Sequence, residues 1–251
     1  MKRRGVFFLS LAVCLLISAC GSGGGDDPGP SSSPPQSIAG IWTGTFTSNV
    51  LHTAYGVAGL ITESGTARFA NTSSLAQYGG QVNVNGGSFT SAATAYAPYG
   101  GTLPDGSTVG PVSISGTFTE KGIMSGSYSG VGDNGTFYLT YSSLYDRPSS
   151  LALVAGTWKG SVEGYANTLT IDSGGNITGS SVSGCTYSGK VGIIDSSHNE
   201  YTLTLSIGNC GGRDGTYSGL AALTDVNAAN DSFLASVSNS SYSYVASMSR
   251  Q

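Results

Sequence analysis

Acid–base, nucleophilic and metal chemistry call for His, Cys or paired carboxylates at workable spacing, and this chain offers little of that kind. Its 251 residues hold 2 His and 14 acidic side chains. His52 and His198 each stand among polar, loop-like residues. The chain has no His-Glu-x-x-His string, no Gly-x-Ser-x-Gly elbow and no phosphate-binding Gly loop ending in Lys-Ser/Thr. Strings such as Gly126-Ser127-Tyr128-Ser129-Gly130 read as strand ends rather than nucleophile elbows. Glycoside hydrolysis needs two carboxylates ~5–10 Å apart in a cleft. Glu63 and Glu120 instead sit at two copies of one hairpin turn, and Glu163 and Glu200 are isolated. Asp133-Asn134-Gly135 and Asp214-Gly215 read as turns, and neither extends into a calcium loop. We therefore expect no enzyme: no catalytic residue, no metal and no cofactor. Tyr is the residue type that could carry recognition. Tyr78, Tyr96 and Tyr99 fall in or near the longer loops of the first half and form the candidate binding surface. Exposed Tyr gives contact area and a hydroxyl at low entropic cost. The competing reading is that they are strand residues facing the core.

Charged residues make up only 10% of the chain, against about a quarter in an average soluble domain. Net charge is −4, and the basic residues beyond the first four are scattered. With no basic patch, nucleic acid is excluded as an expected partner. Gly is abundant, at 39 residues, and short apolar runs recur at strand spacing. Together these point to an all-β chain with many tight turns.

The elements that would position any site start from one repeated string. Ala39-Gly40-Ile41-Trp42-Thr43-Gly44 returns 116 residues later as Ala155-Gly156-Thr157-Trp158-Lys159-Gly160, and these hold the only 2 Trp. An apolar residue precedes each Ala (Ile38, Val154), and a strand-like run follows. Each copy is expected to open its own β-domain, at 38–142 and 153–251, with the junction at 143–152. Thr62-Glu63-Ser64-Gly65, Thr119-Glu120-Lys121-Gly122, Asp172-Ser173-Gly174-Gly175 and Asn85-Gly86 are hairpin signals, the last Gly supplying the positive φ. Ala97 to Gly110 reads as a long loop. In the second half Tyr201 to Ile207 alternates strictly. About eight antiparallel strands per domain suggest small closed barrels, with a two-sheet sandwich as the alternative.

The N-terminus reads as an address. Lys2, Arg3 and Arg4 precede an apolar run from Val6 to Ile17, too short for a membrane span and suited to a signal-peptide core. Ile17-Ser18-Ala19-Cys20 resembles the bacterial lipoprotein signal, which implies removal of residues 1–19, a lipid-bearing Cys20 (palmitate among its acyl chains) and membrane attachment. Residues 20–37 then form a Gly/Ser/Pro-rich tether. Gly21, where an Asp would signal inner-membrane retention by resemblance to enterobacterial sorting, favours the outer membrane, on either face. In such a compartment Cys185 and Cys210 read as a disulfide closing a loop of about 25 residues, worth ~3 kcal/mol in the chain-entropy model. Free thiols, or a metal site short of ligands, are the alternatives.

The Ala-Gly-x-Trp-x-Gly openings resemble the start of lipocalin-type barrels, in which the Trp closes the barrel floor. Trp42, Trp158, Gly40 and Gly156 are the residues that carry this resemblance. The Arg that packs on that Trp in lipocalins is assigned to no position here. The chain also resembles a group of two-domain, β-rich lipoproteins of proteobacteria through Ala155-Gly156-Thr157-Trp158 and Gly184-Cys185-Thr186-Tyr187-Ser188-Gly189. That likeness implies an envelope location and a β fold. The expected role is non-catalytic, binding or structural, toward an unidentified protein or small molecule. A lipocalin-like carrier of a small apolar ligand and a periplasmic protein inhibitor are the alternatives.

Overall fold

The computed structural model describes residues 36–251 apart from 75 and 163, so Cys20, the signal segment, most of the tether and Glu163 lie outside the described residues. Strands β1 (Gly40–Ser48), β2 (Thr53–Ile61), β3 (Thr66–Asn71), β4 (Gln77–Asn85), β5 (Ser88–Tyr96), β6 (Val109–Phe118), β7 (Ile123–Gly130) and β8 (Asp133–Ser142) come first. They form a closed antiparallel meander in which β8 pairs back onto β1. The second half repeats the plan with β9 (Gly156–Val162), β10 (Tyr165–Ile171), β11 (Asn176–Ser181), β12 (Thr186–Ile193), β13 (Tyr201–Gly208), β14 (Gly215–Thr224), β15 (Ser232–Ser238) and β16 (Ser243–Arg250). There β16 closes onto β9. Closure leaves no strand with a free ladder of N–H and C=O groups, and it settles barrel against sandwich.

Period-2 alternation puts apolar side chains inside. On β13, Tyr201, Leu203, Leu205 and Ile207 are buried while Thr202, Thr204 and Ser206 face out. Each barrel holds its own core, around Trp42 and Phe46 in one and around Trp158 and Phe233 in the other.

The repeated string closes each barrel floor. Both indoles are fully buried. Each donates its N–H to the carbonyl four residues earlier, Trp42 to Ile38 at 3.0 Å and Trp158 to Val154 at 2.8 Å. The first glycine clears space for the last strand. A Cβ on Gly40 would lie 2.7 Å from the Tyr141 ring, and one on Gly156 would lie 2.9 Å from the Arg250 guanidinium. Tyr141 meets Trp42 edge-on at 5.6 Å, and Arg250 lies over Trp158 at 4.3 Å. The second glycine lies on the closing seam. A Cβ on Gly44 would come 2.1 Å from the Tyr138 carbonyl, and one on Gly160 would come 2.4 Å from that of Ser247. Arg250 is thus the side chain that packs on the indole of the second barrel. Sequence spacing did not reveal it because the pairing depends on the register of the first strand with the last. Arg250 also donates to the carbonyls of Ala155, at 2.7 Å, and Leu153.

The two barrels belong to one compact unit. Ala39, Ile41 and Leu60 of one pack on Leu220 and Ala222 of the other, with Tyr145 of the connection between them. Ser236 Oγ donates to Gln77 Oε1 and Tyr96 Oη to the Asn239 carbonyl across the same face. The connection is a single 3₁₀ turn (Ser143–Asp146) and a helical turn (Leu151–Val154) under the second barrel. Arg147 clasps Asp225 through two bonds of 2.7 and 2.6 Å.

Lys at position 250 would keep the charge but lose the planar fork that reaches two carbonyls while stacking on the indole. Arg250→Lys should cost about 1.5–3 kcal/mol, the scale of charge-assisted hydrogen bonds. Denaturant titration followed by Trp fluorescence checks this, and an unchanged midpoint would contradict the seam account.

Candidate functional site: the mouth of the first barrel

The loops at 49–52, 72–76, 97–108 and 131–132 all leave the first barrel at the end opposite Trp42. They surround a cavity of about 430 Å³, within the range of small-molecule sites. The barrel interiors below are filled, leaving apolar voids of only about 30 Å³ in the first and 40 Å³ in the second, roughly one water's share of liquid volume. A drug-sized apolar ligand has no room inside either barrel.

Tyr55, Tyr78, Tyr128 and Asp133 converge in the mouth. Phe46, in the barrel interior, packs against two of these rings, Tyr128 at 5.2 Å and Tyr78 at 5.6 Å between ring centroids. Asp133 Oδ1 accepts from Ser48 Oγ at 2.7 Å and from its neighbour's amide, Asn134 N, at 2.8 Å; Oδ2 accepts from Tyr128 Oη at 2.9 Å. Burial pushes the Tyr78 hydroxyl up to about 12, with the Asp133 charge and Tyr55 adding to it. Burial also raises Tyr128, reinforced by its bond to Asp133, and Tyr55, reinforced by the same charge.

The rim is held by a tight turn. Val131 at φ 48° and Gly132 at φ 79° make the two-residue link from β7 to β8. A β-branched residue in that region is strained, and the packing of Val131 against the barrel core offsets the strain. The Val131 carbonyl accepts from Asp105 N at 3.1 Å, pinning the 97–108 loop over the mouth.

Of the three tyrosines singled out from the sequence, only Tyr78 lines this mouth. Tyr96 is buried at the barrel–barrel face. Tyr99 is exposed, with the Arg213 guanidinium 3.8 Å over its ring. Tyr55, Tyr128 and Asp133 were missed as site residues. Their shared signal is position at strand ends on one rim, which needs the strand order to read. Cys185 and Cys210 are bonded, with Cα atoms 4.8 Å apart, at the corresponding end of the second barrel. Asp214 caps that loop by accepting from Cys210 N at 2.6 Å. Glu63 and Glu120, taken only as turn residues, both receive bonds from Ser37, at 2.7 and 3.4 Å, where the chain approaches the barrel floor. Among the described residues no group of three or more His, Cys, Asp or Glu is placed to hold a metal ion.

A second cluster lies under the junction. Glu200, read as isolated, is fully buried and receives Tyr145 Oη at 3.2 Å, while its Oε1 has no hydrogen-bond partner among the described residues. His198 stacks on Tyr145 at 4.5 Å and faces Asp195 at 3.5 Å. Desolvation raises the Glu200 carboxyl above its ordinary range, against the Tyr145 bond and His198, which lower it. Asn199 explains the arrangement. Its side chain bridges the Leu144 carbonyl, at 3.1 Å, to the backbone of Leu223, so the segment before β13 ties the connection to β14.

The class defined so far is a pair of eight-stranded up-and-down barrels with apolar interiors, polar exteriors and a cavity at the mouth of the first. No protein-family model matches the chain, and no curated protein matches it. A solved structure from Bacteroides fragilis NCTC 9343, provisionally described as an outer membrane protein, is similar over 85% of this chain and 98% of its own, at 14% identity and a TM-score of 0.31. A likeness that loose carries no argument about fold or function.

Two predictions follow from this geometry. A Cβ on Gly132 would lie 2.7 Å from Asp105 N, on a backbone that L side chains avoid. Gly132→Ala should speed hydrogen exchange at the Asp105 amide while core amides stay protected. For Glu200 the folded carboxyl keeps its proton to higher pH than the unfolded one, which releases it near pH ~4.3. The native state then binds more protons, and stability falls as pH rises from there through the raised folded value. Glu200→Gln removes that fall, so its denaturation midpoint should gain on wild type between about pH 4.3 and the raised folded value and run parallel to it outside that window. Parallel pH profiles of the two would contradict the assignment.

Proposed function

We propose that this is a lipid-anchored protein of the bacterial cell envelope, at the outer membrane, with a non-catalytic binding role seated at the mouth of the first barrel. The observation that carries the reading is the polarity of the barrels. A membrane-spanning barrel turns apolar residues to lipid and polar ones to its lumen. Here the order is reversed: Thr43, Thr45 and Thr47 of β1 face outward, while Trp42 and Phe46 face in. Both barrels are thus built to stand in water, which leaves membrane attachment to the N-terminal segment. Ile17-Ser18-Ala19-Cys20 supports that anchor, and the Cys185–Cys210 bond fits an oxidising compartment.

The carrier alternative loses support, because neither interior has space for a guest. The position of the mouth favours binding at the rim. The described chain begins beside the floor, where Ser37 bonds Glu63, and β1 runs about 30 Å from there to the mouth at ~3.4 Å per residue. The mouth therefore lies at the end of the first barrel opposite to where the described chain enters. Arg250 on Trp158 adds to the likeness with lipocalin-type floors.

Cys20→Ser should release the protein from the membrane fraction of cells into the soluble envelope fraction and abolish labelling by radioactive palmitate. Wild-type protein recovered unlabelled in the soluble fraction would overturn the anchor.

A further inference from the structure

We propose that the mouth of the first barrel is a receptor for an organic ammonium group carrying apolar substituents. This rests on the reading that the mouth is the binding face, and it names the chemistry of the guest.

The argument begins with charge. Among the described residues Asp133 is the only charged side chain lining the cavity, and no Lys, Arg or His of theirs lines it. Its three hydrogen bonds come from neutral donors, Ser48, Tyr128 and the Asn134 amide. Among the described residues no ion pair reaches it. A half-buried carboxylate therefore stands without a counter-charge in a cavity walled by aromatic and aliphatic side chains. Its field is felt by the surrounding phenols, since the Asp133 charge helps raise Tyr55, Tyr78 and Tyr128 alike.

The walls fit a cation better than they fit other guests. Tyr rings attract ammonium groups through their faces, and desolvated sites strengthen the effect. A phosphate or carboxylate would meet like charge with no basic residue to offset it. A neutral sugar needs many directional partners, and here Tyr128 Oη and Asn71 Oδ1 are already engaged within the protein, Asn71 with the Ser73 and Ser74 amides. Leu51, Val112 and Val131 supply apolar surface beside the carboxylate, which suits alkyl groups on the nitrogen. The volume of about 430 Å³ exceeds that of a bare ammonium ion, so the guest extends along the apolar wall.

The test is titration of the folded protein with hexyltrimethylammonium and, separately, with hexyl glucoside, which shares the tail and lacks the charge. Chemical shifts of the Tyr78 and Tyr128 ring protons report the site. The expected result is saturable shifts with the ammonium compound, weakened by salt, and at least about tenfold weaker binding in Asp133→Asn, which corresponds to 1.4 kcal/mol. Thr102→Lys provides an independent variant, because Thr102 is an exposed residue on the rim and its replacement leaves every bond to Asp133 intact. It should abolish ammonium binding by placing a cation in the mouth. Equal binding of the glucoside, or undiminished binding in both variants, would overturn the ammonium assignment while leaving the mouth as the binding face. The absence of any shift at Tyr78 and Tyr128 with either compound would overturn both.

Discussion

Each barrel depends on bringing its last strand against its first around a buried indole. The indole N–H cannot be left unpaired in an apolar interior without a cost of about 1–3 kcal/mol. In both halves the carbonyl four residues upstream meets it, at Ile38 and Val154. That bond draws the incoming chain across the barrel end and makes the floor. The two glycines around the Trp then do separate jobs. One leaves room for a ring or guanidinium from the last strand, and the other lets two backbones approach closely enough to pair. A six-residue string thus specifies a plug, its partner's socket and the seam.

Closing the floor and filling the interior has a functional consequence. Small eight-stranded barrels have lumens that side chains can fill or that can hold one small ligand. Here Phe46, Phe89 and Phe137 crowd the first interior, with Phe46 and Phe137 5.3 Å apart. Space for a guest is left at the rim, where the strands end and loops can vary without disturbing the core. The disulfide follows the same logic in the second barrel. It ties two loops at the end away from the indole.

The fold was legible because its signals are local. Alternation along β13, Gly-ended hairpins and two copies of one string need only neighbours in sequence, and they led to two eight-stranded units. The site was less legible because it is assembled from four separate hairpins. Tyr78 was noticed for its place near a loop, yet Tyr96 shares that property and belongs to the barrel–barrel face. Asp133 read as a turn former, and it is one: it receives Asn134 N at the start of β8. Nothing local records that Tyr128 and Ser48 reach the same carboxylate from different strands. Arg250 and Glu200 were passed over for a related reason. Their partners lie 92 and 55 residues away and are set by register rather than spacing.

The two halves share a plan but place polarity differently, and the difference says where each can do work. On the last strand, Tyr141 occupies the place opposite Trp42 that Arg250 occupies opposite Trp158. An Arg there ties the floor of the second barrel to the helical turn beneath it through the Leu153 and Ala155 carbonyls. Among the described residues no such turn precedes the first barrel. Its Tyr141 reaches sideways instead, donating to Asp146 at 2.9 Å, and Lys121 meets the same carboxylate at 2.6 Å. The floor of the first barrel is thereby committed to holding the connection, and the floor of the second to holding its own cap. With Tyr96 and Gln77 also spent on the barrel–barrel face, the mouth is where Tyr55, Tyr78, Tyr128 and Asp133 line a cavity rather than a packed face. A ligand that binds there can do so without unpacking either floor or the face between the barrels.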